Sequence, residues 1–586
     1  MEKNIDFTWK IGGEAGFGIM VTGATFGKLC TRSGLNVIST VEYPSLIRGG
    51  HNTFIIRAAE EKIYSLKQTI NLLVALNKET YDLHREELES SGMIIFDPHD
   101  FQPEPNPSLE FLPVPFFQLA KDNKGNFLMR NTVALGASIA VLGMDFSLLE
   151  EMLRKEFERK GEEVVNLNIN IAKAGYAFVL DNLKQTPRFK LNRSSKPKIL
   201  ATGNEALGAG AVSSGMKFFA SYPMTPVNGL ITYFTAREKK FNLVYKQPED
   251  EIAAINMAVG ASYAGVRAMT ASSGGGFALM NEGFSLAGMT ETPLVVVYGQ
   301  RPGPASGLPT WTSQGDLKYA LAAGHGEFLR FVFTPGDIEE CFWLTKLAFN
   351  MADFYQTPVI VLVDKYLCES YFSAETSAWQ KPQSLPENVW QKAQTINRGK
   401  MADKTDGNYL RYKITEDGIS PRAIPGKGPV FTVNSYEHDE EGLSTEKSLE
   451  IKAMVDKRKK KMILAQAEAF GPIEYGEKNA NLTLVGWGST KQAVLEALKN
   501  INSSGKITAR YLHFPCLSPF PVENTQKLLA KTSTIINVEG NSQGQLAMLI
   551  REKTGIEITD NVLKYDGRQF YPEEIISAVN VISKGR

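Results

Sequence analysis

Cysteine is scarce in this 586-residue chain: Cys30, Cys341, Cys368 and Cys516 lie far apart, and no C-x-x-C occurs. That pattern excludes a cysteine-held zinc or iron–sulfur site within the chain. It predicts reduced thiols packed as small hydrophobes. Charge of one sign is also lacking, since Lys plus Arg and Asp plus Glu each number 64. No global field therefore favours nucleic acid or an anionic membrane surface. No uninterrupted apolar run approaches membrane-spanning length, and the opening MEKNIDFTWK has no apolar signal core, so a cytoplasmic protein is expected. Internal repeats and low-complexity tracts are absent too. What is present is ordinary globular composition, 43% hydrophobic and 22% charged, over a length that predicts three or four domains.

Strand and helix patterns alternate along the chain. Residues 1–185 begin with a strand at FTWKI, pass a glycine cluster into a helix, and continue through NVISTVEY, FIIRA and MIIFD. This predicts an α/β layer with a mostly parallel sheet. The basic, proline-bearing stretch 186–198 reads as a linker. A second α/β unit spans 199–378, and its continuous apolar runs VRAMTAS, PLVVVYG and PVIVLVD predict strands buried on both faces. Residues 379–480 form an irregular connecting region with one helical stretch, whose KRKKK run reads as a solvated face. A third α/β unit covers 481–586.

The cluster IGGEAGFG lies between a strand and a helix, where backbone N–H groups at Gly13, Gly16 and Gly18 are placed to cradle phosphate. Glu42 ends the next strand, where a dinucleotide fold puts its ribose-binding acid. Yet the spacing is G-G-x-x-G-x-G, and no G-x-G-x-x-G passes through it, which argues against nicotinamide. A tight ligand-free turn, another phosphate-bearing ligand and an interface role stay open. In the following loop, Arg48 precedes Gly49 and Gly50. Such an arginine suits bidentate capture of a carboxylate or phosphate, and equally suits a surface turn.

In the second unit, ASYPMTP stiffens a loop after a strand with Pro223 and Pro226, holding the Thr225 hydroxyl free. The helix opening near Glu249 to Glu251 carries acid in its first turn, which the helix dipole alone would explain. A Ser/Gly turn follows Thr270, and a strand ends at Arg301 ahead of a Pro/Gly loop.

Taken together, Tyr222–Pro226, the E-D-E-I-A-A-I-x-M-A-x-G-A-S helix at 249–262, the turn from Thr270 to Gly276, and Gln300–Thr310 closely resemble the 2-oxoacid:ferredoxin oxidoreductase family. The likeness is to an alpha subunit with the gamma-type domain fused at its N-terminus, matched there through the R-G-G-H loop at 48–51. It extends to LTLVGWGS and NVEGNSQGQLA, which resemble the transketolase-type C-terminal domain, and to RYKITEDGISPRAIPG and EHDEEG in the connecting region. The implied fold class is multidomain α/β: a Rossmann-like gamma domain, an aminopyrimidine-type thiamine diphosphate domain and a transketolase C-terminal-like domain.

The resemblance implies residue roles. Glu251 would hydrogen-bond the aminopyrimidine and promote proton loss from the thiazolium carbon, with Glu249 as the fallback. Tyr222 and Pro223 would line the cofactor. Arg301 would pair with the substrate 1-carboxylate and Thr225 would hydrogen-bond the substrate. Arg48 would take a distal carboxylate, which favours 2-oxoglutarate, with coenzyme A and ferredoxin as the other reactants. Pyruvate or a branched-chain or aryl 2-oxoacid, a lipoamide-linked dehydrogenase component, and a non-catalytic assembly subunit are the competing readings. No G-D-G followed by Asn-Asn, the family's metal–diphosphate motif, occurs, and the G-D pairs at 315 and 336 lack the second glycine. Thiamine diphosphate, its Mg2+ and a 4Fe–4S cluster would then be held mostly by a beta subunit, in an assembly of two alpha–beta pairs, and the chain alone would be inactive.

Overall fold

Strand–helix alternation over Asp6–Ala177 supplies six strands of an eight-stranded sheet in the order Glu110–Pro113, Leu88–Phe96, Ile70–Ala75, Asp6–Glu14, His51–Ala59, Asn36–Glu42, Tyr371–Ala374, Ile199–Thr202. The computed structural model describes residues 5–45, 49–182, 186–402, 409–505, 507–532 and 534–584. The chain divides into two units, the first being Met1–Ala201 with Ser370–Thr376 and Tyr571–Glu573. Its sheet is mixed rather than mostly parallel. The first four strands run parallel, whereas Asp6–Glu14, His51–Ala59, Asn36–Glu42 and Tyr371–Ala374 pair antiparallel. The cause is the short connection between Asn36–Glu42 and His51–Ala59, which leaves no room for a crossover helix. Trp9, Ile11, Val37 and Ile56 fill the core under it. Helices Arg130–Leu142 and Glu162–Ala177 approach closely because Gly136 and Gly175 each face a backbone carbonyl of the other helix, where a Cβ would collide. The basic stretch 186–198 is strapped to this unit: Leu191 N–H donates to Gly143 O (2.9 Å) and Ser194 N–H to Arg32 O (2.9 Å).

The second unit carries the remaining two sheets. One has seven strands in the order Cys516–Ser518, Phe331–Phe333, Pro358–Asp364, Leu294–Gln300, Arg267–Ser273, Met216–Ala220, Val244–Lys246. All run parallel except Cys516–Ser518. Every residue of Arg267–Ser273, Leu294–Gln300 and Pro358–Asp364 is buried, as expected of strands covered by helices on both faces. The other sheet orders Ile473–Gly476, Ala509–Phe514, Leu482–Trp487, Thr534–Glu539, Asp560–Leu563, with only its first strand antiparallel. The expected multidomain α/β class is what the chain adopts.

The connecting region departs from expectation. Helix Ser448–Ala467 carries the KRKKK run, but Lys457, Arg458 and Lys461 are buried. Lys457 and Lys461 both pair with the Glu291 carboxylate, and Arg458 pairs with Glu437 at 2.5 Å. Helical spacing turns three of the five cations inward onto carboxylates distant in sequence, which composition alone does not reveal. All four cysteines are buried and free.

Candidate active site

The site forms where the central parallel sheet ends in loops, the usual binding edge of such sheets. The Tyr222–Pro226 loop is pinned from three sides. Ser221 Oγ donates to Ala271 O (2.9 Å), Arg301 Nη1 to Thr225 O (3.0 Å), and Asn204 Nδ2 to Pro226 O (2.9 Å). Among the described residues the Thr225 hydroxyl accepts only a long contact from Asn228 Nδ2, at 3.5 Å. Arg301 itself is half-buried; burial draws its guanidinium pKa down, and no carboxylate pairs with it among the described residues. Arg301 and Thr225 are thus brought together. Tyr222 and Pro223 stay exposed on the same loop.

Glu251 opens helix Glu251–Tyr263, capped by Asp250, whose side chain accepts from Ala253 N–H at 2.8 Å. With Asp250 serving the helix end, Glu251 is released from that duty. It is 4% exposed, whereas Glu249 is exposed. Its Oε1 is buried with no hydrogen-bond partner among the described residues. An unmet buried acceptor costs about 1–3 kcal/mol or more, so it marks a place where a donor belongs. The oxygen faces Gly276 in the first turn of helix Gly274–Leu279, which stands where the sequence suggested a Ser/Gly turn: a methyl group placed on Gly276 would lie 2.6 Å from it and would also meet Ser272 Oγ. Ser272 Oγ in turn reaches Met224 Sδ at 3.7 Å, joining this turn to the Tyr222–Pro226 loop. Gly275 is exposed, with open space where its Cβ would stand. Ser273 Oγ and Thr270 Oγ1 are two further buried, unpartnered oxygens on the same strand end. Ser272 and Met224 carry too little sequence signal to be found, since a Ser/Gly stretch and an inner position of the Tyr222–Pro226 loop are too common alone.

In the first unit, Gly13 lies inside strand Asp6–Glu14, paired with Asn52 and buried against Phe17 and Leu76. It is a packing glycine inside a strand and not part of the turn expected to cradle phosphate. Gly16 and Gly18 do form a turn, with φ of 98° and 71°. Gly18 precedes helix Ile19–Arg32, which has no side-chain cap, so its first N–H groups remain available to an anion. Arg48 lies outside the described residues. Among the described residues, no group of three His, Cys, Asp or Glu is arranged to hold a metal ion.

Comparison with known proteins decides the family. Residues 8–178 match the family model described as pyruvate ferredoxin/flavodoxin oxidoreductase. Residues 209–457 match the one described as pyruvate flavodoxin/ferredoxin oxidoreductase, thiamine diP-binding. A 2-oxoacid:ferredoxin oxidoreductase subunit alpha from Sulfolobus sp. is 33% identical over 99% of this chain and 97% of its own length. The chain belongs to the 2-oxoacid:ferredoxin oxidoreductases, as an alpha subunit. The 2-oxoglutarate synthase subunit KorA of Methanothermobacter thermautotrophicus is 30% identical over 64% of the chain and 96% of its own length. Among solved structures, a 2-oxoglutarate:ferredoxin oxidoreductase from Magnetococcus marinus, with 2-oxoglutarate, coenzyme A and succinyl-CoA bound, matches with TM-score 0.89. Its identity is 34%, over 99% of this chain and 100% of that one. An alpha subunit implies a partner subunit. No helix among the described residues is long and apolar enough to cross a membrane.

Proposed function

We propose that the chain supplies the cofactor-activating and substrate-holding residues of an enzyme converting 2-oxoglutarate and coenzyme A to succinyl-CoA and carbon dioxide while reducing ferredoxin, or the reverse. The observation that carries this reading is the buried, unpartnered Glu251 oxygen in the thiamine-binding family segment, joined through Gly276, Ser272 and Met224 to the loop that carries Thr225. Thiamine diphosphate, when bound, would supply the electron sink needed to break the bond between the 2-oxo carbon and its carboxylate. Glu251 would hold the aminopyrimidine by sharing a proton at its Oε1. The low dielectric around a 4%-exposed carboxylate strengthens that bond. Arg301 pairs with the 1-carboxylate, and the Thr225 hydroxyl hydrogen-bonds the substrate on a loop that cannot swing away. Tyr222 and Pro223 line the cofactor's edge.

Arg48 would take the distal carboxylate, and Gly16 and Gly18 a phosphate of coenzyme A. The relatives named for 2-oxoglutarate support that substrate over pyruvate or branched-chain and aryl 2-oxoacids. The same loops and helices leave Tyr222, Ile252, Met257, Leu279 and Leu308 exposed, which supports a beta subunit covering this face and bringing the metal–diphosphate site and the 4Fe–4S cluster. Two alpha–beta pairs in the cytoplasm complete the reading.

The experiment is a 2-oxoacid panel on the complex co-purified with its partner, reading dye or ferredoxin reduction. The expected result is the highest kcat/KM for 2-oxoglutarate, with Arg48→Ala lowering its ratio to pyruvate. A ratio unchanged by Arg48→Ala removes that role, and pyruvate preferred by the wild type removes the substrate assignment. The chain alone is expected to reduce no viologen dye, and a measurable rate there overturns the dependence on a partner.

A further inference from the structure

Two residues along the turn that Glu251 faces, a second polar pair converges. A methyl group placed on Gly274 would lie 3.3 Å from Asp316 Oδ2 and 3.4 Å from the Tyr298 hydroxyl. Asp316 occupies the N-cap position of helix Leu317–Ala322, yet its side chain makes no capping bond. Aspartate at an N-cap ordinarily accepts from the helix's own N–H groups, so this carboxyl has been turned elsewhere. It is turned toward the glycine turn, where burial holds it above the usual carboxylate range and only Tyr298 opposes that shift. The Tyr298 hydroxyl is buried without a well-formed partner. Its ring is held by Phe277 and Tyr319. On helix Gly274–Leu279, Gly274 beside this pair and Gly276 beside Glu251 are separated by the exposed Gly275, whose Cβ position is open.

The Asp316 loop is not free to choose its position. The Asp316 N–H donates to Gln300 Oε1 at 3.1 Å. Two residues back, Gln314 is plugged into the strand ends of the C-terminal sheet. Its Nε2 donates to Trp487 O (2.8 Å), and its Oε1 accepts from Gly540 N–H (2.7 Å). Its backbone bonds Gly540 O and Asn541 Nδ2. Glycine at 488 and 540 is what admits it: a Cβ at Gly488 would stand 2.8 Å from Gln314 Nε2 and one at Gly540 3.2 Å from its Cγ. Gln545 brackets the other side, donating to Gly315 O (2.7 Å) and accepting from Lys318 N–H (3.0 Å).

We propose that Asp316, with the Tyr298 phenol beside it, forms the second hydrogen-bonding wall of the aminopyrimidine pocket, accepting the exocyclic amine at the far end of the ring from Glu251, and that Gln314 holds it there by locking its loop into the C-terminal layer. This rests on the reading of Glu251 given under the proposed function. Asp316 is then a binding residue, Gln314 a positioning residue, and the third α/β layer is a support for the cofactor site.

The test uses the complex reconstituted with its beta subunit. Thiamine diphosphate affinity is read by tryptophan fluorescence quenching, and the cofactor's aminopyrimidine tautomer band by near-ultraviolet circular dichroism against pH. Asp316→Ala is expected to weaken binding by about tenfold to a hundredfold, the loss of one hydrogen bond to a charged group, and to displace the pH midpoint of the band. Tyr298→Phe, which keeps the ring packing, is expected to weaken binding several-fold and serves if Asp316→Ala fails to fold. Gln314→Ala is expected to displace the band in the same direction, which a loss of stability alone would not do. Unchanged affinity and band in the Asp316 and Tyr298 variants overturn the proposal, and an unchanged band in Gln314→Ala overturns the lock. Glu251→Gln separates the two levels. If it too changes nothing, the pocket reading fails; if it alone removes the band, only the Asp316 assignment fails.

Discussion

Glu291 gives the sharpest stability prediction, because a single carboxylate there neutralises two buried lysines. Its side chain is 1% exposed, and it accepts from Lys457 Nζ at 2.5 Å and from Lys461 Nζ, themselves 0% and 3% exposed. Arg411 adds a guanidinium that donates to the Glu291 carbonyl at 2.8 Å. Those cations hold the carboxyl far below the usual carboxylate range despite its burial. Glu291→Gln keeps the volume and leaves the backbone φ of 51° to a similar side chain, so the change is one of charge. It leaves Lys457 and Lys461 without their shared counter-charge in a dry site. Breaking a buried pair in this way costs about 3–5 kcal/mol.

A local readout separates this contact from the rest of a multidomain chain. The assay is therefore hydrogen exchange over Ser448–Ala467, whose Lys457 and Lys461 depend on this contact. The amides that exchange through release of that helix are expected to speed up roughly a hundredfold to a few thousandfold, the same free energy expressed as a ratio. The pH dependence has a definite sign. A carboxyl whose folded pKa is depressed contributes fully above its unfolded pKa of about 4.3 and loses that contribution as pH falls below it. Wild type and variant should therefore differ at neutral pH and converge in acid. Exchange unchanged by Glu291→Gln, or a gap that persists undiminished in acid, would refute the reasoning.

In the reconstituted complex, Glu251→Gln should lower kcat by about 10²–10⁴-fold, the ordinary share of a positioned acid–base group, with the melting temperature unmoved; full turnover would return the non-catalytic reading to first place. Arg301→Lys should raise KM for the 2-oxoacid by about tenfold to a hundredfold with a smaller change in kcat, since a point charge replaces a planar fork. Equal KM values would detach Arg301 from the substrate carboxylate. Gly18→Ala places a Cβ against Asn131 at a positive φ; if this turn holds a phosphate of coenzyme A, the KM for coenzyme A should rise several-fold while that for the 2-oxoacid stays put. Burial draws Lys461 down to about 7. Between that value and its unfolded pKa near 10.4 the unfolded chain binds more protons, so this residue's contribution to stability should rise with pH across that window; a denaturation midpoint that falls there in wild type relative to Lys461→Met would contradict it.

What sequence reveals here follows from how local each feature is. The apolar runs at 294–300 and 358–364 announce doubly covered strands because burial on both faces removes the alternation that polar solvent imposes. The Tyr222–Pro226 loop, the acid at the head of helix Glu251–Tyr263 and the arginine ending strand Leu294–Gln300 were legible because each is a short segment whose chemistry is carried by neighbouring residues. Choosing Glu251 over Glu249 by burial needed the structure, since both lie within one turn and only the cap by Asp250 settles which carboxyl is turned inward. The KRKKK run misled for the converse reason. Composition sees five like charges, while the fold sets three of them against Glu291 and Glu437, more than 150 residues away for the first and about 20 for the second. Gly13 misled because a glycine needed for close packing and one needed for an anion look alike until Phe17 and Leu76 are seen against it. Asp316 stands at the far end of this scale. In sequence it shows only as half of a G-D pair that lacks the motif's second glycine, and its place beside Gly274 depends on Gln314 reaching strand ends at Trp487 and Gly540. A residue whose position is fixed by contacts hundreds of residues away is invisible to motif reading, and such residues are where function remains to be found in a family already recognised by its motifs.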